Sequence, residues 1–418
     1  MQIKLVRRTM NKPMRSGLGV SLDDVQNHNK RVILNALHNS GSCSRKEISQ
    51  LVGLDQATVT RAIKPLIEQG LIVETGVRKA ARGRSSIYLG FNTQHLRIVS
   101  VRIQRTNFSI DTYDLNGVSL TSLVKPINTD NSPEELIEYL TKQVSDVLNE
   151  QEGDILGISV AMPGPFLEQD NKIILMTDAK NWQDVDFISH MREQFPDYPI
   201  YAGHDAKLAA LAVWRQLQST YEASVLLYVS LGQGVGSGLV IEGQVYHGSL
   251  GTAGEIGHTS INFQGPQCKC GNLGCLELYS STTALVERYK EEASLASADF
   301  EMVVNAFHDR ESAAINAVDY LAKCLAHGLV NNINQLNPDL VVIGDELTQL
   351  GADFLNRVKE YTFRLLLPDL ASNIELVLDE SDEDLVHKGN YHNVMSNELL
   401  LPLAHLGIKA TNTPESSK

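Results

Sequence analysis

Residues 254–258 read Gly-Glu-Ile-Gly-His, and residues 268–277 read Cys-Lys-Cys-Gly-Asn-Leu-Gly-Cys-Leu-Glu. The two segments supply one imidazole and three thiols within eighteen residues, from His258, Cys268, Cys270 and Cys275. Four nitrogen and sulfur ligands fill the tetrahedral shell of a structural zinc ion and leave no position open for catalysis. The stretch therefore predicts a closed structural zinc site. The alternatives are a chance cluster of buried cysteines and a redox pair.

The composition around this stretch is that of a globular protein. The 418 residues are enough for two or three domains, and 43% of them are hydrophobic. Five cysteines, three of them within eight residues, favour metal binding over a disulfide framework. No continuous apolar segment follows the basic N-terminus, so we expect a cytoplasmic protein that does not contact a membrane.

Charge is distributed unevenly along the chain. Residues 1–92 contain 15 Lys and Arg against 6 Asp and Glu, a balance of +9 within a total of −14, which leaves −23 on the remainder. We call the basic residues 1–92 the head and the acidic remainder the body. This distribution favours a polyanion as the partner of the head alone. A solvated basic surface would carry the same charge.

The head has the pattern of a helix-turn-helix. Apolar spacing predicts helices over about 25–37, 44–51 and 55–67, with Ser44 and Asp55 as N-caps and Pro65 kinking or shortening the third. The third helix is predicted to be the recognition helix, because its polar side carries short or basic side chains suited to a major groove. These are Gln56, Thr58, Thr60, Arg61 and Lys64.

A basic wing is predicted after the recognition helix. Strand-like residues 71–73 and 86–89 flank residues 78–84, in which Arg82 and Arg84 surround Gly83. The two arginines suit a narrow minor groove, where the negative potential is strongest. The alternative is a winged helix that binds protein and carries a solvated basic loop.

The body contains one pattern twice. Strand-like runs near 97–104, 107–114 and 117–124 precede a helix and a strand at 154–161, and the same order returns from 224 to 344. A duplicated β-β-β-α-β unit is typical of a two-lobed α/β fold, for which we expect a ligand cleft between the lobes.

The motifs together resemble the ROK family, which groups sugar-responsive repressors with sugar kinases. The resemblance runs from about residue 22 to 405 and includes the zinc stretch, Pro163-Gly164, the glycine-rich residues 232–238 and Asn337-Pro338-Asp339. Residues 181–186 and 277–279 are similar to xylose-operon repressors in particular, and N-acetylglucosamine repressors of the family are similar as well.

The resemblance implies an actin-like, sugar-kinase-like α/β domain of two lobes, preceded by an α+β winged helix-turn-helix. It divides the chain into a basic arm (1–21), a winged helix-turn-helix (22–92), a first lobe (93–203 with about 388–408), a second lobe with the zinc site (204–387) and a disordered tail (409–418).

Kinase activity is not expected. Family kinases carry an Asp-x-Gly-Gly-Thr phosphate loop at the first hairpin, where this chain has residues 101–106, Val-Arg-Ile-Gln-Arg-Thr. The Gly-Gly on the adenosine side is replaced by Gly344-Asp345-Glu346. The resemblance therefore implies no bound nucleotide and no catalytic residues.

Sugar-binding positions are better preserved. Asp205 matches the family's base and sugar ligand, and Glu255, His258 and Glu277 match other positions that contact hydroxyl groups. His204 replaces the usual Asn, and Ala179 lies where many family kinases place a sugar-binding Asn. From spacing alone, Asp205 would be a helix cap, and Glu255 and Glu277 would be solvated loop carboxylates.

The predicted function is a sugar-responsive transcriptional repressor. Operator DNA, a small sugar or sugar phosphate, and a second copy of the chain in a homodimer or tetramer are the expected partners. Two alternatives remain at this point: a bifunctional sugar kinase with an added DNA-binding domain, and a regulator that responds to free zinc.

Overall fold

The computed structural model describes residues 22–78, 85–128, 131–167, 172–173, 186–218, 220–221 and 223–400. The arm 1–21, the wing residues 82–84, Ala179 and the tail 409–418 lie outside these ranges. The chain forms two compact units. Unit 1 comprises Met1–Ala161, Asp186–Ala202 and Asn390–Lys418, and unit 2 comprises Met162–Val185 and Gly203–Gly389.

Three helices and a small sheet form the head of unit 1. They are α1 (Leu22–Ser40), β1 (Ser42–Ser44), α2 (Arg45–Val52), α3 (Gln56–Glu68), β2 (Ile72–Arg78) and β3 (Ser86–Phe91), with strand order β1-β3-β2. Ser44 and Glu47 close a capping box on α2, and Asp55 caps α3 through the Thr58 backbone N–H. Both caps were predicted, whereas β1 was not.

The first large sheet has strand order β10-β7-β4-β5-β6. Its elements in chain order are β4 (Leu96–Ile103), β5 (Asn107–Tyr113), β6 (Ser119–Pro126), α4 (Pro133–Glu150), β7 (Asp154–Met162), α5 (Phe187–Gln194) and β10 (Ile200–His204). A separate ribbon pairs β8 (Phe166–Leu167) with β9 (Lys172–Ile173). β4 and β5 are antiparallel, whereas β4 and β7 are parallel.

The second large sheet repeats this order as β13-β12-β11-β14-β15. It consists of β11 (Val225–Leu231), β12 (Val235–Ile241), β13 (Gln244–Val245), β14 (Leu340–Gly344) and β15 (Glu375–Leu378). The helices of this part are α6 (Asp205–Leu217), α7 (Glu277–Ser280), α8 (Thr282–Ala293), α9 (Phe300–His308), α10 (Ser312–Leu336), α11 (Gly351–Leu365) and α12 (Pro368–Asn373). Short 3₁₀ turns cover Ile256–His258 and Glu346–Leu350. The predicted duplication is therefore present in the two sheets.

The last described helix, α13 (Leu385–Glu398), joins the head to the first sheet within unit 1. One hydrophobic cluster contains Ile33 and Leu37 of α1, Ile98 of β4, and Tyr391 and Val394 of α13. The Tyr391 hydroxyl donates to the Leu115 carbonyl at 2.9 Å. The head thus shares a core with the sheet beside it.

Among the described helices, none is long and apolar enough to cross a bilayer.

Candidate functional site

The four predicted metal ligands lie together in unit 2. The ligand atoms of His258, Cys268, Cys270 and Cys275 all fall within 4.8 Å of one another. His258 ends a 3₁₀ turn, and the cysteines lie on the loop that follows, which is folded back by bridges between Ser260 and Cys275 and between Gln267 and Leu273. These four residues, three thiols and one imidazole, could together hold a metal ion.

Two of the six ligand-atom spacings in this group match those around a tetrahedral zinc ion. Cys268 Sγ lies 3.7 Å from His258 Nδ1, and Cys270 Sγ lies 3.6 Å from Cys275 Sγ. Zn–S bonds of about 2.3 Å and Zn–N bonds of about 2.0 Å place tetrahedral ligand atoms about 3.5–3.8 Å apart. A zinc ion would therefore be held by Nδ1 of His258 and the three sulfurs.

Protonation of the thiols depends on their burial. Burial, followed by the hydrogen bond to Glu277, raises the pKa of Cys268 far above its usual range. Burial and the contact with Cys270 raise the pKa of Cys275 to about 11. Burial also acts on Cys270, but the Asn272 backbone N–H and the neighbouring thiols outweigh it and lower the pKa of that thiol. Metal binding needs thiolates, so a bound ion would displace these protons.

The five predicted sugar ligands form two groups of acidic and imidazole side chains, His204 with Asp205 and Glu255, and His258 with Glu277. His204 is buried at the start of α6, with Nδ1 3.3 Å from Asp205 Oδ1 and Nε2 4.0 Å from Glu255 Oε1. Glu277 Oε1 lies 3.2 Å from His258 Nδ1 and accepts a hydrogen bond from Cys268 Sγ at 3.0 Å. The carboxylate side chains are 18–29% exposed, so a ligand in solvent can reach them.

The local structure of α6 bears on the role of Asp205. The helix begins at Asp205, and its N-cap is His204, whose side chain makes no capping hydrogen bond. Asp205 Oδ1 instead accepts the backbone N–H of Ala206 at 2.6 Å. Its second carboxylate oxygen has no hydrogen bond within the described part of the chain, which leaves it available to a hydroxyl group.

Two glycines hold Glu255 and His258 against β12. A Cβ at Gly257 would lie 2.1 Å from the Val235 carbonyl oxygen, and a Cβ at Gly254 would lie 2.6 Å from the Ser237 carbonyl oxygen. Gly254 also has φ +95°, a conformation that other residues rarely adopt. The Gly-Glu-Ile-Gly-His order is therefore required by close backbone packing, which fixes the direction of both side chains.

Lys207 lies beside the predicted sugar ligands and was not singled out by the sequence analysis. It is 2% exposed on α6, and its Nζ donates to the Gly251 carbonyl on the loop before Glu255. This contact ties the helix that carries Asp205 to the loop that carries Glu255. A single lysine inside the apolar run of α6 was the available signal.

The altered Gly344-Asp345-Glu346 segment has an unusual backbone. Asp345 has φ +73° and ψ −162°, a region that is essentially restricted to glycine and costs about 1–3 kcal/mol. Its carboxylate accepts from the Ser230 hydroxyl at 2.6 Å and from the Glu346 backbone N–H at 2.9 Å. A Cβ at Gly232 would lie 2.9 Å from Asp345 Oδ2, so the carboxylate covers the start of the glycine-rich turn.

The predicted DNA-contacting residues on α3 all lie within the part of the chain that the structure describes. Gln56, Thr60, Arg61 and Lys64 are exposed, whereas Thr58 is half-buried. Thr58 Oγ1 donates to Asp55 Oδ2 and Thr60 Oγ1 donates to the Gln56 carbonyl, both at 2.7 Å. Ala57 is also exposed on this side and was not among the predicted contacts.

Comparison with known proteins gives two family matches. A sequence model described as "ROK family" matches residues 98–389, and one described as "Winged helix-turn-helix DNA-binding" matches residues 26–73. A putative xylose repressor of Caldicellulosiruptor sp. is 30% identical, covering 80% of this chain and 87% of the relative. The Bacillus subtilis xylose repressor (26%; 84% and 91%) and the Escherichia coli dual regulator NagC (26%; 87% and 91%) are also similar.

Solved structures share the fold. A ROK family transcriptional regulator, described as a homolog of the E. coli MLC protein, superposes with TM-score 0.77 at 23% identity and covers 91% of this chain and 98% of its own. A ROK hexokinase from Thermus thermophilus gives 0.59 at 22% identity, covering 71% and 97%. The predicted fold class, a winged helix-turn-helix before a two-lobed sugar-kinase-like domain, is confirmed.

Proposed function

Because this chain belongs to the ROK family and begins with a winged helix-turn-helix, we propose that it represses transcription by binding operator DNA, and that a sugar bound by unit 2 changes its DNA affinity. The class predicted from the sequence, a sugar-responsive DNA-binding repressor, agrees with the relatives and is confirmed at that level. The observation that carries the rest of the proposal is the Asp205–His204–Glu255 group next to Glu277 and the metal ligands.

The chemistry of this group suits a polyol. Each carboxylate accepts hydrogen bonds from neighbouring hydroxyl groups, and the partial burial of the three acids strengthens those bonds relative to bulk water. His204 lies between the two acids, with Nδ1 3.3 Å from Asp205 Oδ1 and Nε2 4.0 Å from Glu255 Oε1. Asp205, Glu255 and Glu277 would thus bind the sugar, with His204 and His258 as further hydrogen-bonding groups.

Charge favours an unphosphorylated sugar as the effector. Residues 203–389 contain 25 Asp and Glu against 11 Lys and Arg, and a zinc ion bound by three thiolates and one imidazole would add a net charge of −1. A phosphate group would be repelled by these charges. The buried cation on α6, Lys207, already donates to a backbone carbonyl.

A titration of the DNA complex tests the proposal. Operator fragments are taken from the DNA adjoining the gene, and a panel of pentoses, hexoses and their phosphates is added while fluorescence anisotropy is recorded. We expect one uncharged sugar to change DNA affinity about 100-fold, a coupling of about 2.7 kcal/mol. Asp205→Asn should remove the response to the sugar without weakening DNA binding. Glu301 is an exposed acid on α9, and the control variant Glu301→Gln should keep the response. The proposal fails if no sugar changes the affinity.

We propose further that the chain does not transfer phosphate. The β4–β5 connection is closed by a Gln104 N–H to Asn107 carbonyl bond of 2.9 Å and contains no glycine or acid. Asp345 and Glu346 would place two carboxylates near the triphosphate. The alternative, a bifunctional kinase, predicts ATP consumption that depends on the sugar found in the titration. A coupled ADP assay on that sugar separates the two.

Zinc is proposed to be structural. The Cys3His group would brace the loop that carries His258 and Glu277, and all four positions around the ion would be filled by protein. A zinc-responsive regulator would instead show DNA affinity that follows free zinc. Equilibration with zinc buffers across the physiological range distinguishes these roles, since a structural site should stay filled throughout.

The remaining proposals follow from DNA binding. Access to operator DNA places the protein in the cytoplasm, and a two-fold operator calls for a homodimer or tetramer. The domain limits 22–92, 93–203 with 388–408, and 204–387 stay predictions, as do the contacts of Arg82, Gly83 and Arg84 with DNA. Light scattering of the purified protein, with and without operator, measures the number of copies.

A further inference from the structure

The exposed side of α3 carries a specific set of chemical groups. At about 100° per residue, Gln56, Ala57, Thr60, Arg61 and Lys64 fall within an arc of about 140°, and all five are exposed. Thr58 lies about 60° beyond this arc, is half-buried, and donates its hydroxyl hydrogen to the N-cap Asp55. The arc therefore presents one amide, two methyl groups, one guanidinium and one ammonium.

The hydrogen bond of Thr60 decides which part of this side chain faces DNA. Thr60 Oγ1 donates its hydrogen to the Gln56 carbonyl at 2.7 Å, so the hydroxyl has no further hydrogen to give to a base acceptor. The methyl group of Thr60 and that of Ala57, which lies three residues earlier and about 60° around the helix, remain. Methyl groups of this kind contact the C5-methyl of thymine in the major groove.

The polar ends of the arc differ in their partners. Arg61 forms no ion pair within the described ranges. Its guanidinium N–H groups can donate two hydrogen bonds to O6 and N7 of guanine. The Gln56 amide matches N6 and N7 of adenine. Lys64 Nζ lies 3.8 Å from Glu68 Oε1. Lys64 is further from the N-terminus of α3 than the other four residues, a position that suits a phosphate contact.

We propose that α3 reads a half-site of about four base pairs in which A·T pairs, contacted by Gln56, Ala57 and the Thr60 methyl group, adjoin one G·C pair read by Arg61. The inference rests on the proposed DNA-binding function and specifies the DNA sequence class for it. Lys64 adds affinity without sequence preference.

Selection from a randomised duplex library with the full chain tests this assignment, and two variants of Thr60 make it sharp. Thr60→Val keeps the methyl group and loses the hydroxyl, so the selected motif should not change. Thr60→Ser keeps the hydroxyl and loses the methyl group, and should lower the preference for thymine at one position by about 5-fold. Arg61→Ala should lower the guanine preference by about 5- to 150-fold. Lys64→Ala should weaken all sequences equally and reduce the salt slope by about 1.

The outcomes distinguish a failure of the proposed DNA-binding function from a failure of the base assignment alone. If the wild-type protein enriches no motif, the proposed DNA-binding function fails, and this inference fails with it. If a motif is enriched but changes with Thr60→Val and not with Thr60→Ser, the hydroxyl reads the base and only this inference is overturned. An Arg61→Ala variant that behaves like Lys64→Ala would likewise overturn the guanine assignment. Far-UV circular dichroism of each variant confirms that α3 is intact.

Discussion

Asn390→Ala should be among the most destabilising single changes in unit 1. The Asn390 side chain is fully buried on α13, accepts from Ser159 Oγ at 2.6 Å, and donates to Ser100 Oγ at 2.9 Å and to the Val101 carbonyl at 3.0 Å. Three buried hydrogen bonds at about 1 kcal/mol each, and the partners left unpaired, give a loss of about 3–5 kcal/mol.

The loss is measured by urea or thermal denaturation followed by circular dichroism. For a unit of this size it corresponds to a fall in Tm of about 6–20 °C. Hydrogen exchange should localise the effect to β4 and β7, which carry the partners of Asn390. Asn397→Ala is the matched control, because Asn397 is exposed on the same helix and bonds only to Asn393 among the described residues. It should change stability by less than about 0.5 kcal/mol.

A loss below about 1 kcal/mol for Asn390→Ala would contradict this role of the buried amide. It would mean that water or a repacked neighbour satisfies the two serines and the Val101 carbonyl, and that α13 is not fixed to the sheet through this amide.

Three further changes have distinct expected outcomes. Cys275→Ser should reduce bound zinc from about one ion per chain to a small fraction, as measured by elemental analysis, whereas Cys324→Ser, outside the metal group, should retain it. Ser44→Ala removes the α2 capping box and should cost about 0.5–2 kcal/mol in urea denaturation; an unchanged midpoint would contradict the cap. Gly257→Ala places a Cβ 2.1 Å from the Val235 carbonyl oxygen. The response to the sugar should therefore weaken together with zinc retention. An unaffected response would show that the loop has room to shift.

Local chemistry was the part of the structure that the sequence predicted best. The His258 and cysteine spacing predicted four side chains that the structure brings together, and Ser44 and Asp55 identified two helix starts, because ligand sets and caps depend on a few neighbouring residues. The repeated strand order was also predictable, since alternating apolar residues mark each strand. The family resemblance then supplied Asp205, Glu255 and Glu277, which spacing alone would have assigned to caps and loops.

Features that depend on distant residues were not predicted. Residues 42–44 form β1 because Ser42–Ser44 pair with Tyr88–Gly90, more than 40 positions away. The helix predicted over about 55–67 does continue through Pro65, to Glu68, but the packing of buried Leu66 that outweighs the missing backbone donor depends on distant residues. The left-handed backbone of Asp345 depends on Ser230, which lies on another strand. No local pattern contains these contacts.

The shared core of unit 1 limits how a signal can reach the recognition helix. Tyr391 packs with α1 and the first sheet in one cluster, so no flexible linker separates the head from that sheet. A displacement of α13 at Tyr391 and Val394 is therefore transmitted through this cluster to the core that holds α1 and α3. An effector acts through this path only if it binds the two positions of the helix with different affinity.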